Sequence, residues 1–280
     1  MGEEKMKNFI SFDLEFWYDS EFIEKIPDNN TEDFVLQGLE KALGLLNKHE
    51  TKATFFVTGE VAEKYPEAIK RLHKAGHEIA SHGYNHTMLN KFSKENFEKS
   101  IKMSKKIIEK ITGKNPIGFR APSWSISEKE FWVYEILEKL GFKYSSSLFP
   151  INTGLYGNSK FPIEPFNPLP KKKIIEIPIK PFKIFSMRIP FSGGVYFRLF
   201  PKSITKMFIK KMNKRGENAL IYIHPWELCP EIPRVDTTFS GKIVTYYGLN
   251  KNEDKLDYIL SNFKFYPLRD LIYLKGNKSL

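Results

Sequence analysis

The chain has 280 residues, with 44 Lys and Arg against 33 Asp and Glu, a formal net charge of +11. Seventeen Gly and seventeen Pro are an ordinary globular share, and 24 Phe, 13 Tyr and 4 Trp supply ample core, which excludes collagen-like, low-complexity and disordered classes. A single cysteine, Cys229, excludes a disulfide framework and any Cys-cluster metal site.

In chain order, residues 9–13 form a short apolar strand-like run that ends in a carboxylate. Val35, Leu39, Leu43 and Leu46 recur at helical spacing and predict a helix over 34–48. Residues 52–57, rich in β-branched and aromatic side chains, read as a strand, and 60–75 as a helix stopped by Gly76 at the left-handed cap position. A strand at 77–80, a Lys-rich helix over 93–111 ended by Gly113, and a strand at 118–121 follow. Ser127 and Glu130 form a capping box for a helix over 127–140, and residues 144–148 read as another strand. Between 149 and 192 eight prolines crowd an irregular insertion. Order resumes with a strand at 195–199, a helix at 203–214, a strand at 219–224 and a last helix over 251–262 before the 263–274 segment. Such alternation predicts an α/β protein built on a parallel sheet, and no linker divides it.

The charge is unevenly spread. Residues 1–35 hold three Lys against ten Asp and Glu, whereas residues 171–216 hold thirteen basic residues against Glu176 alone. Only seven of the 44 basic residues are Arg, the residue suited to bidentate phosphate and base contacts, so no nucleic-acid partner is expected. Lys206, Lys210 and Lys214 stripe one face of the helix expected over 203–214. That face is read either as solvated or as a seat for an anionic substrate, a diphosphate carrier or a membrane surface, which makes peripheral membrane contact an expectation. No apolar run reaches the ~18 residues of a transmembrane helix, and the start has no apolar signal core, so a cytoplasmic location is expected.

Functional side chains of parallel α/β sheets gather at the carboxyl ends of strands. Four such ends are unusually polar: Asp13-Leu14-Glu15, Ser81-His82 with His86, Arg120 to Ser123, and His224-Pro225-Trp226-Glu227. His82 and His86 have metal-ligand spacing, expected to place both imidazoles on one face of a helical turn. Asp13 and Glu15 fall on the same side of an extended chain, where two carboxylates repel unless a cation or proton intervenes. One carboxylate with two His makes a hydrolytic metal site with open positions, and the other carboxylate is free as general base. Arg120 is placed to hold one carboxylate. His77 is read as a packing residue, and a Cys229–His224 nucleophile pair is disfavoured for want of a third orienting group.

The ordered set Asp13-x-Glu15, Ala53-Thr-Phe-Phe-Val57, His77-Glu-Ile-Ala-Ser-His82-x3-His86, Phe119-Arg-Ala-Pro122 and Ile221-Tyr-Ile-His224 resembles the polysaccharide deacetylase family, the NodB-homology group also called carbohydrate esterase family 4. Tyr144-x2-Ser-x-Phe-Pro150, Gly193-Gly-x-Tyr-Phe-Arg198 and His224-Pro-Trp-Glu227 are similar to its branch associated with exopolysaccharide and O-antigen assembly. The resemblance implies a distorted (β/α) barrel of about seven parallel strands, one domain over 1–280 with its motif-bearing core at about 8–225 and residues 226–280 packed on it as an extension. It implies a metal-dependent hydrolase that removes acetyl groups from N-acetylated saccharides, free or lipid- or nucleotide-linked. Glu15, His82 and His86 match the metal ligands, zinc being the first choice ahead of Fe, Co, Ni or Mn. Asp13 matches the base that activates water on the metal, Arg120 the residue that orients it, and His224 the acid that protonates the leaving amine. Ser123, Trp124, Tyr196, Arg198 and Trp226 are the candidate substrate-binding residues, with a backbone N–H near Ser123 for the oxyanion.

The chain departs from the family where Leu14 separates the carboxylates, so the roles of Asp13 and Glu15 are exchangeable. It departs again where Ser145-Ser146-Ser147 occupies the place of an Asp that steadies the catalytic His, with Glu227 a candidate substitute. Two alternatives accompany this reading: a hydrolase of small amides such as allantoin, and a non-catalytic glycan-binding relative.

Overall fold

The computed structural model describes residues 6–23, 32–153 and 156–276. Its strands are β1 (Asn8–Leu14), β2 (Thr54–Val57), β3 (Glu78–Ser81), β4 (Gly118–Phe119), β5 (Tyr144–Ser145), β6 (Ile175–Glu176), β7 (Phe182–Ile184), β8 (Met187–Ile189), β9 (Leu220–Ile223) and β10 (Phe265–Tyr266). Its helices are α1 (Val35–Lys48), α2 (Gly59–Lys64), α3 (Pro66–Lys74), α4 (Lys94–Thr112), α5 (Trp132–Lys139), α6 (Gly194–Leu199), α7 (Lys202–Lys214), α8 (Phe239–Tyr246), α9 (Asn252–Asn262) and α10 (Arg269–Gly276).

The chain divides into two compact units. The first comprises residues 1–12, 16–53 and 182–268. In it β1 is flanked by two parallel partners, β9 with Phe9 opposite Leu220 and β10 with Asn8 opposite Phe265, while β7 and β8 form an antiparallel hairpin. Trp17, Phe34, Trp226, Cys229, Ile232 and Leu249 form one of its apolar clusters. The second comprises residues 13–15, 54–181 and 269–280, with β2, β3, β4, β5 and β6 paired in that order and all parallel. Phe97, Phe119, Val133, Leu137 and Phe142 anchor a core cluster there. Both burial and register follow from β-branched and aromatic runs enclosed on both faces, as parallel strands require.

The helix expected over 60–75 is two helices. Tyr65 leaves the helical region (φ −129°, ψ 54°) because Pro66 follows it; Pro66 instead opens α3, where its missing N–H costs nothing. The strand expected at 195–199 is α6, a short helix. Gly193 lies against the Tyr222 ring so closely that a Cβ would sit 1.8 Å from Cε1, and the amides of Tyr196 and Phe197 turn back to its carbonyl. This close approach starts a helical turn that apolar alternation alone does not reveal. The capping box at Ser127 and Glu130 is present, but its first turn is a 3-10 helix ahead of α5. Gly113 ends α4 at φ 72°, as expected, and Ser93 caps its start.

Candidate functional site

Five of the sequence-derived residues meet in the second unit. Asp13 and Glu15 lie at the end of β1, His82 and His86 after β3, and Arg120 after β4, so each stands at the carboxyl end of a parallel strand. The loop carrying the histidines is not a helical turn. Gly83 takes φ +83°, and this left-handed residue bends the chain so that the two imidazoles stand 5.3 Å apart at 63°.

Glu15 Oε2 lies 3.2 Å from His82 Nε2 and 3.0 Å from His86 Nε2. His82 Nδ1 donates to the carbonyl of Arg120 at 2.8 Å. A carbonyl only accepts, so Nδ1 carries the proton, and in the neutral ring the Nε2 lone pair faces the carboxylate. Two acceptors aimed at one another in a buried place call for a cation or a proton between them. The three ligand atoms lie within 4.8 Å of one another, and the donor set, two imidazoles and a carboxylate, suits a borderline divalent ion. The residues therefore fit a metal of the class expected.

Asp13 is held apart from this cluster's chemistry. Nη1 of Arg120 donates to its Oδ1 at 2.6 Å, in a pair that is almost wholly buried. The guanidinium carbon lies over the rings of Phe56 (4.1 Å to the centroid) and Trp124 (4.7 Å). The group also donates twice to Ser146: Nε to the carbonyl at 3.0 Å and Nη2 to Oγ at 3.1 Å. Ser147 Oγ accepts the amide of Ala121, and the amides of Ser147 and Leu148 both donate to Glu176 Oε1 at 2.7 and 2.8 Å. The serine run thus seats the arginine. Burial pushes the Glu176 carboxyl up, with the hydrogen bonds from Ser145, Ser147, Leu148 and Tyr134 offsetting only part of the shift. Ser146, Ser147 and Glu176 have no local sequence signal as site residues, because their partners are 26 to 29 positions away.

Ser123 and Trp124 both adopt left-handed backbone (φ 50° and 52°), an uncommon state for non-glycine residues. In this turn the amides of Trp124 and Ser125 donate to the carbonyls of Ala121 and Pro122. Trp124 itself is buried.

His224, Trp226, Arg198 and Tyr196 belong to the first unit. His224 stacks on Trp226 (5.4 Å, 17°) and meets Tyr222 edge-on. Glu227 Oε2 accepts the His224 amide at 3.0 Å and lies 3.3 Å from Nδ1. Its Oε1 accepts from Arg198 Nε at 2.9 Å. Arg198 also donates to the carbonyls of Val244, Thr245 and Tyr247 at the carboxyl end of α8, and its side chain has no exposed surface. A guanidinium so committed acts as a helix cap and a clamp on Glu227. Burial alone would raise the Glu227 carboxyl, but Arg198 and then His224 outweigh it and hold the group below its usual value. Trp226 is buried in the apolar cluster and Tyr196 is half-buried. Cys229 is fully buried, and burial pushes its thiol up to about 11, so it offers no thiolate near neutrality. His77 packs edge-on against Phe55.

A buried carboxylate–His–His cluster thus lies beside an arginine-clamped carboxylate at the strand ends of an α/β fold, a donor set suited to a divalent ion. Residues 31–145 match the polysaccharide deacetylase family, and residues 146–273 match a domain of unknown function, DUF3473. Over residues 31–145 the chain is thus similar to the polysaccharide deacetylase family. A peptidoglycan deacetylase of Helicobacter pylori is 36% identical over 111 residues, 40% of this chain and 37% of that protein. A peptidoglycan-N-acetylglucosamine deacetylase of Bacillus cereus is 36% identical over 101 residues, 36% of this chain and 37% of that protein. The aligned stretches thus span little more than a third of these relatives. A candidate polysaccharide deacetylase structure from Mycobacterium smegmatis superposes over 100% of this chain and 94% of that one, with a TM-score of 0.63 at 19% identity. This likeness shows the fold, the distorted (β/α) barrel of NodB-homology type that the motifs imply.

Proposed function

We propose that the protein is a metal-dependent hydrolase that removes an acetyl group from an N-acetylated saccharide. The observation that carries the reading is the division of labour between the two carboxylates: Glu15 faces both imidazoles, whereas Asp13 faces Arg120. That division supports Glu15, His82 and His86 as the metal ligands and Asp13 as the base. A divalent ion held by the three would supply Lewis acidity, lowering the pKa of water and polarising the acetamide carbonyl.

Arg120 fixes the Asp13 carboxylate through Oδ1, and Oδ2 has no hydrogen bond among the described residues. Oδ2 is therefore the atom that takes the proton as water attacks the carbonyl carbon. The family pattern assigns the developing oxyanion to a backbone amide near Ser123. When the C–N bond breaks, the amine nitrogen needs a proton, and His224 is the residue the family pattern assigns to give it. The products are acetate and a free amino sugar. A saccharide on a lipid or nucleotide carrier fits the basic stretch, with zinc as the first choice of metal.

The reading is tested by metal analysis and by acetate release from N-acetylglucosamine oligosaccharides, with allantoin as a control substrate. Asp13→Asn is expected to lose at least about 100-fold in acetate release while keeping its metal; His82→Ala is expected to lose both. Full activity in a chelated, metal-free preparation overturns the metal's role, and turnover of allantoin alone overturns the substrate class.

A further inference from the structure

The hairpin of β7 and β8 has an unusual tip. Phe185 takes φ +52° in the turn and is 96% exposed; Met187, two residues on, is 60% exposed. The left-handed position of a hairpin turn favours Gly, Asn or Asp, and a bulky aromatic there is strained. Water gives the ring no compensation. The hairpin's root, by contrast, is firmly seated: Phe182 is buried and stacks on Phe208 of α7 (4.4 Å, 22°), and Phe191 meets the same ring. Exposure therefore rises from a fixed base to an apolar point.

The hairpin's own charge has one sign: residues 182–189 contain Lys183 and Arg188 and no Asp or Glu. Lys183 and Arg188 face each other across the hairpin, a like-charge pairing that a two-stranded ribbon disfavours. Arg215 crosses over Phe182 and donates to the carbonyl of Lys183, adding a third cation at the base.

We propose that this hairpin is a membrane-interface anchor, with Phe185 and Met187 entering the headgroup region of an anionic bilayer while Lys183, Arg188 and Arg215 meet its lipid phosphates. Two exposed apolar side chains on a narrow tip offer far less than the roughly 20–30 residues a side of a stable protein interface. They match the interfacial pattern of an apolar wedge ringed by cations. No helix among the described residues is long and apolar enough to cross a membrane.

The test is flotation of the full chain with phosphatidylcholine vesicles, with and without phosphatidylglycerol, which requires no catalysis and so stands apart from the deacetylase assay. The wild type is expected to float with the anionic vesicles, less so at high salt. Phe185→Asn suits the left-handed position, so its melting temperature is expected to stay level or rise while membrane partition falls about ten-fold. Lys183→Glu with Arg188→Glu is expected to abolish the preference for anionic lipid. Absence of wild-type flotation, or a Phe185→Asn variant that floats as the wild type does, overturns the proposal. A lipid-free dimer that Phe185→Asn splits overturns it in favour of self-association.

Discussion

At the scale of single residues, Glu227 links two groups that were only loosely connected in sequence. Its carboxylate receives Arg198 on one oxygen and the His224 amide on the other, with His224 Nδ1 at 3.3 Å. A carboxylate beside one ring nitrogen favours the imidazolium and leaves the other nitrogen to act outward. Glu227→Gln keeps the shape and removes the charge. It is expected to lower kcat by about 10–100-fold with KM little changed, as for a positioning residue, and to move the alkaline limb of the kcat profile to lower pH. Steady-state kinetics across pH check both, and an unchanged profile would leave Glu227 with a purely structural part. A stability signature accompanies it. The folded carboxyl lies below its unfolded value, so its contribution is present above about pH 4.3 and is lost as pH falls through the folded value. The variant is expected to lack that acid-side loss.

At the scale of elements, the serine run after β5 is a support whose keystone comes from β6. Glu176 accepts two consecutive amides and the Tyr134 hydroxyl, and Ser146 between them and β5 holds Arg120. Glu176→Ala leaves both amides buried and unpaired, at about 1–3 kcal/mol each, so chemical denaturation is expected to show a loss of roughly 3–5 kcal/mol with acetate release falling as Arg120 loosens. Glu176→Gln still accepts both amides and is expected to be much milder. The folded carboxyl of Glu176 is raised, so the folded state binds more protons and stability declines as pH rises from the unfolded value through the folded one. Glu176→Gln is expected to flatten that decline. This element also marks how far sequence reasoning reaches. Strand ends bearing Asp13, Glu15, His82, His86 and Arg120 were legible, because apolar runs that stop at polar residues mark the carboxyl ends of parallel strands. The Pro66 break was legible in principle, since proline disfavours helix in the residue before it. Glu176 and Ser146 were not legible as site supports: their roles arise from pairing between β5 and β6 across the Pro-rich insertion, and no local pattern encodes a partner that distant. The misread α6 has the same cause, a contact of Gly193 with Tyr222 rather than a propensity of its own residues.

At the scale of the whole molecule, the candidate metal centre is expected to be a fastening as well as a reactive site. Glu15 and His82 are 67 positions apart, so an ion shared by them ties the end of β1 to the loop after β3. The same geometry without an ion or proton sets a buried carboxylate against lone pairs, a local penalty that the folded chain otherwise bears alone. An ion that binds only the folded form stabilises by about 4 kcal/mol at a thousand-fold excess over its Kd, which corresponds to a rise in Tm on the order of 10 °C for a chain of this size. Chelation of the purified protein is therefore expected to lower the melting temperature by that order, and readdition of zinc to restore it. His82→Ala is expected to melt at the same temperature with and without zinc. All three ligands lie in the second unit, so where calorimetry resolves two transitions the one that moves belongs to residues 54–181 and their neighbours. A melting temperature indifferent to chelation in the wild type would remove the metal from both the stability argument and the proposed reaction, leaving Asp13 and Arg120 as a buried ion pair with no chemistry assigned.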